Sequence, residues 1–225
     1  MRSILPGAFR TVRNFSANLA GLAMVALLAP GAAHAQKNYC GDLTNAFGPF
    51  DYRTRGEHIE QFQLVESAHY TEEVARGIKG NTGTIGADLD YTLRAIPNHP
   101  GALASMATVA KKTKVNKLPG AKFPVECYFE RASRLAPDDG AVWAVYANYL
   151  FSLGQDKQAT EMFARAIELS PEDATINYNA GLAFLKAKDY QKANRYAQKA
   201  YALGFPLPYL KNKLVEAGKW EPKAQ

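Results

Sequence analysis

A segment that recurs at a fixed interval restricts a chain more than any single motif, because every copy must fold alike and pack on the next. Here Glu130 to Asp139 (ERASRLAPDD) aligns with Ala164 to Asp173 (ARAIELSPED) at an offset of 34 residues, with five of ten positions identical. The same interval carries Phe129 to Phe163, Ala159 to Ala193, Ala166 to Ala200 and Leu169 to Leu203. Further toward the N-terminus, Tyr91, Arg94, Ala95 and Pro100 align with Tyr128, Arg131, Ala132 and Pro137 at an offset of 37, which calls for three extra residues. The stretch Lys111 to Pro124 (KKTKVNKLPGAKFP), basic and broken by two prolines and a glycine, reads as the loop that takes them.

Inside the repeat the apolar spacing is helical. Ala141-Val142, Val145-Tyr146 and Tyr149-Leu150 recur at three and four residues, as do Phe163 and Ala166-Ile167. Pro137 and Pro171, each followed by acidic residues, end one helix and open the next. Small residues at Ala147, Ala159, Ala166, Gly181, Ala193 and Ala200 allow paired helices to approach closely, while Trp143, Tyr146, Phe163, Tyr178 and Phe184 supply area to bury.

These residues resemble the tetratricopeptide repeat, a 34-residue unit of two antiparallel helices. The best unit runs from Asp138 to Pro171, with Trp143, Ala147, Leu150, Ala159, Phe163, Ala166 and Pro171; the next keeps Gly181, Phe184, Ala193 and Ala200, with Asn177 in place of the aromatic. The likeness is close over 125–206, looser over 71–124 and absent over 36–70. It implies an all-α fold, a right-handed α-solenoid of about three helix pairs. A helix from about Pro208 to Ala217, ended by Gly218, would cap the open end, and residues 71–225 would form the repeat domain. Residues 36–70, with Gly41, Gly48, Pro49 and Gly56 around a short aromatic stretch, read as irregular chain leading into a helix from about Gly56 to Ser67.

Residues 1–35 combine an arginine-bearing start, an apolar run from Phe15 to Ala29 and Ala33-His34-Ala35, the pattern of a signal peptide cleaved after Ala35. The run is about 15 residues, short of the roughly 20 that span a bilayer, so no stable membrane insertion is expected after cleavage. The expected location is the bacterial periplasm. Setting aside Arg2, Arg10 and Arg13 lowers the net charge from +6 to +3, too little for a nucleic-acid surface. Export also recasts Cys40 and Cys127 as a disulfide pair, since thiols persist as disulfides in oxidising compartments.

Chemistry is thinly represented. The segment beyond the leader carries His58, His69 and His99; Glu66 and His69 share a helical face at a spacing of three, yet a metal site of that kind needs a second copy. His99, in Pro97-Asn98-His99-Pro100, reads as a turn residue, and Gly80 to Gly86 (GNTGTIG) reads as a turn between helices. No cofactor and no metal are expected. The expected function is non-enzymatic: a protein–protein interaction module, an adaptor, scaffold or assembly factor of the cell envelope, taking another protein's peptide or helix into the concave surface. In the resembled family the first helix of each pair lines that surface. The resemblance assigns partner contacts to Asn148, Phe151, Tyr178, Asn179, Leu182 and Lys186, with the two asparagines at peptide-clamping places, where an amide can both donate to and accept from a peptide backbone. The alternative is an envelope enzyme or metal-binding subunit working through His58, Glu66 and His69.

Overall fold

A computed structural model describes residues 39–221. Among them the chain forms a 3-10 helix, Tyr52–Glu57, and ten α-helices: α1 Ile59–His69, α2 Glu72–Ala75, α3 Ile85–Ala95, α4 Pro100–Thr113 and α5 Val125–Leu135, then α6 Gly140–Ser152, α7 Asp156–Leu169, α8 Ala174–Lys186, α9 Tyr190–Ala202 and α10 Tyr209–Glu216. No described residue is in a strand. The fold is an α-helical repeat solenoid. The expected signal peptide lies outside the described residues.

One corner is built three times. After α3, α5 and α7 the chain leaves the helix at Ile96, Ala136 and Ser170, all near φ −135°. A proline follows each, and the third residue on, His99, Asp139 or Asp173, donates its amide back to that exit residue's carbonyl at 3.1–3.2 Å. The same residue then caps the next helix. Asp139 accepts from the amide of Ala141 and Asp173 from that of Ile176, while His99 does so through Nδ1 from the amide of Ala102. A first-turn amide has no intrahelical acceptor, so a side-chain oxygen or an unprotonated ring nitrogen serves equally.

This corner corrects the alignment expected for the first repeat. Pro97 stands in register with Pro137, an offset of 40, and Pro100 is instead the first residue of α4. The proline that matters ends the helix, and the second proline of Pro97-Asn98-His99-Pro100 obscured it. The extra length sits in the connection 114–124, as expected, but α4 reaches Thr113 and so includes Lys111 and Lys112. That connection is basic and exposed at its lysines yet pinned by buried Leu118, and the Thr84 hydroxyl donates to the carbonyl of Pro119 at 2.7 Å.

Three helix pairs thus follow one another: α4 with α5, α6 with α7, and α8 with α9. The first helices of the pairs, α4, α6 and α8, pack side by side, and α7 packs on both α6 and α8. Ala147, Ala159, Ala166, Ala193 and Ala200 are fully buried between them. At Gly181 the approach is so close that a β-carbon would fall 2.5 Å from Leu210 Cδ2 of α10. Helix α10 buries Leu210 and Leu214 against α8 and α9 and ends at Gly218, whose φ of +64° suits a residue without a side chain.

Residues 39–58 are a strap laid across the ends of α3 and α5. The Cys40–Cys127 disulfide fixes one end. The Phe50 amide donates to the carbonyl of Ala95, an acceptor that the end of α3 leaves free, and Asn98 Nδ2 donates to Asp51 at 2.7 Å and to Asp139 at 3.0 Å. Phe47, Phe50 and Tyr52 pack around buried Phe62, Val65 and Ile96. The helix expected over 56–67 is α1, which starts three residues and ends two residues later than expected.

Candidate functional site

The surface presented by α4, α6 and α8 follows from local spacing. On α4, Ala104, Ala107-Thr108 and Lys111 recur at three, four and seven residues, so one stripe of mostly small side chains faces α6. On α6, Val145, Asn148-Tyr149 and Ser152 form the matching stripe. Small residues on one wall and an exposed amide on the other leave a cleft of about 260 Å³ between the two helices. Tyr149 is fixed there: its hydroxyl donates to Glu126 Oε1 at 2.9 Å, and burial together with that carboxylate raises its pKa. Asn148 is exposed in this cleft.

The remaining expected contacts sit around α8. Asn179 and Leu182 are half-buried. Lys186 Nζ stands over the Phe151 ring, 4.0 Å from its centroid, and 3.3 Å from Asp156, so these two expected residues contact each other and join α8 to the turn between α6 and α7. Tyr178 is enclosed: it is 5% exposed and stacked on Phe205 with ring centroids 3.9 Å apart. It supports α8 from within the packing. Lys111, read in the sequence as loop charge, stands on the same cleft as Asn148; its spacing of three and four residues from Thr108 and Ala107 was the signal for it.

Asn177, standing where the preceding unit has Trp143, performs the same hydrogen bond. Trp143 Nε1 donates to the carbonyl of Pro137 at 3.0 Å, and Asn177 Nδ2 to that of Pro171 at 2.9 Å. The smaller amide leaves a cleft of about 490 Å³ over Ile167, Tyr196 and Lys199, between α7 and α9.

The histidines and Glu66 do not converge. His69 Nδ1 lies 3.0 Å from Asp88 and its ring stacks on Tyr91, while Asp88 also accepts the amides of Asn81 and Thr82 and so shapes the turn before α3. Those bonds hold the Asp88 carboxyl below its ordinary pKa, against the opposing effect of its own burial. Glu66 faces Arg55 and His99 instead, at 3.6 and 3.3 Å. Glu66 stands off the donor axis of His99 Nε2, which has no hydrogen-bond partner among the described residues. Burial, with Arg55 nearby, lowers the His99 pKa to about 4. Among the described residues no three His, Cys, Asp or Glu side chains are disposed to hold a metal ion.

A family model described as TPR repeat matches residues 147–188, from the middle of α6 through α7 to the end of α8. Over that stretch, α6 to α8, the chain is similar to a tetratricopeptide repeat. Comparison with curated proteins returned no match. A TPR repeat suggests a protein–protein interaction module, and units of this family are typically without catalysis of their own. Among the described residues no helix is long and apolar enough to cross a membrane. The disulfide between Cys40 and Cys127 is compatible with an oxidising compartment.

Proposed function

We propose that this chain is a non-enzymatic adaptor or assembly factor of the bacterial cell envelope, acting in the periplasm after removal of residues 1–35, and that it holds a partner's peptide or helix on the concave face of the TPR array. The observation that carries this reading is the cleft between α4 and α6, where Asn148 is open beside Lys111. An exposed amide can pair with both groups of a peptide backbone, and the lysine adds attraction for an acidic side chain or terminus. Asn179, Leu182 and Lys186 of α8, with Phe151 at the end of α6, extend the face, and Tyr178 supports it from below. Residues 36–70 serve as a lead-in that steadies the first pair, and residues 71–225 form the binding domain.

Affinity capture from envelope extract tests it, with wild type beside the Asn148→Ala/Asn179→Ala variant. The expected result is a partner retained by wild type and lost by the variant, with helicity and melting nearly unchanged. Equal retention by both baits would sink the groove as the working surface.

A further inference from the structure

The strap closes a second, strongly polar cavity that the concave face does not use. It measures about 270 Å³ and is bounded by Gly41 to Asn45, α3 and the approach to α5. Three cations line it, Arg94, Lys122 and Arg131, and the one acid among the lining residues is the exposed Asp42. Asp90 stands behind them and is already engaged: it accepts Arg94 Nε at 2.8 Å, the Lys122 amide at 3.0 Å and the Tyr128 hydroxyl. Arg94 is held in place from its other side by Asn45, and the ring of Phe123 lies beneath both Lys122 and Arg131.

Arg131 is the decisive residue. It is 1% exposed, and its hydrogen bonds run from Nη1 to the carbonyls of Cys40, Gly41 and Asp42. Its Nε finds no acceptor among the described residues. A guanidinium withdrawn from water is ordinarily matched by a carboxylate, because neutral carbonyls do not offset its desolvation. Here the acceptors are neutral, and burial together with Arg134 pushes the Arg131 pKa down. A strap already fixed by a disulfide does not need such a charge to hold it, and Lys122 beside it adds to the imbalance, while Arg94 is paired with Asp90.

We propose that this cavity is a binding site for a small oxyanion, the phosphate or carboxylate group of a compact ligand. Arg94 and Lys122 supply donors at the wall, Asn45 and Thr44 supply neutral polar groups, and Arg131 supplies positive potential from beneath. The volume is below that of a typical drug-sized pocket, roughly 300 Å³ and upward, which suits a free phosphate or a short dicarboxylate.

Isothermal titration of the full, oxidised chain with sodium phosphate, sulfate and succinate, each against sodium chloride at equal ionic strength, tests the site, since general screening is common to all of them. Saturable one-site binding of at least one oxyanion is expected. Preference for phosphate or for succinate tells a phosphoryl ligand from a carboxylate one. Lys122→Gln should weaken binding about fivefold, and Asp42→Asn should tighten it about threefold, in line with single exposed charges near a bound ion. Both side chains are exposed, so neither change threatens folding, and Asn148→Ala should leave the affinity unaltered. No saturable binding of any of the three oxyanions, or an affinity indifferent to both charge changes, would overturn the proposal.

Discussion

Up to residue 139 the buried polar residues are Asp88, Asp90, Thr92, Asn98, His99, Ser105, Arg131 and Asp139, whereas beyond it the described ones are Asn177 and Asn194. Helices α6 to α9 meet through alanines and aromatic rings, and their loops close with a few backbone bonds. The α1 to α5 region lacks that regular spacing, and side chains take over: Asn98 joins the strap to Asp139, Asp88 shapes the turn before α3, and Asp90 ties Arg94 to Tyr128. Where repetition sets the packing, small apolar residues suffice. Where it lapses, the chain is held by groups that respond to redox state and to pH.

The largest test of this contrast is removal of the disulfide. The cysteines are 87 residues apart, and on the chain-entropy account Cys40→Ser with Cys127→Ser lowers stability by about 4 kcal/mol. Hydrogen exchange should then quicken in the strap, α3 and α5 while α8 and α9 keep their protection. Equal loss everywhere would mean one cooperative unit and would dissolve the distinction.

Next in size is acid. His99 is neutral when it accepts the Ala102 amide, and its pKa falls from 6.5 to about 4 on folding. The unfolded chain therefore takes up the proton first as pH falls. The stabilisation is complete above about 6.5 and is lost between there and about 4, amounting to about 3 kcal/mol. Melting temperature should decline across that window, with α3 and α4 loosening first. His99→Asn keeps a capping group that does not titrate and should flatten that part of the profile.

Two smaller effects belong to the regular half. Asp173→Ala removes the cap on Ile176 and should cost about 1 kcal/mol in chemical denaturation. Asn148→Ala, at an exposed position, should change stability by less than about 0.5 kcal/mol while abolishing partner capture. A larger loss would make Asn148 a packing residue and would move the sought-for contacts off this cleft.

How much of this was legible beforehand varies with how local its cause is. The last two helix pairs, the corner prolines Pro137 and Pro171 and the capping helix are written at spacings of three, four and 34 residues, so a single strand of sequence displays them. Asn148 was singled out by the resemblance to the repeat family, and the structure leaves it exposed in the cleft between α4 and α6. Lys111 was visible in its stripe on α4, but the basic run around it disguised a helix end as a loop. Tyr178 could not be placed by periodicity, because the ring that covers it, Phe205, comes from beyond the following helix.

By itself the sequence determined that this chain is an array of paired helices with a closed end, because amphipathic spacing and a proline after each second helix act within a few residues. Tertiary structure alone decided the enclosure of His99 and the surroundings of Arg131. Those depend on contacts between residues some 30 to 90 positions apart, such as Glu66 with His99 and Cys40 with Arg131. A buried charge is costly or harmless according to what reaches it across that distance, and no local pattern records which.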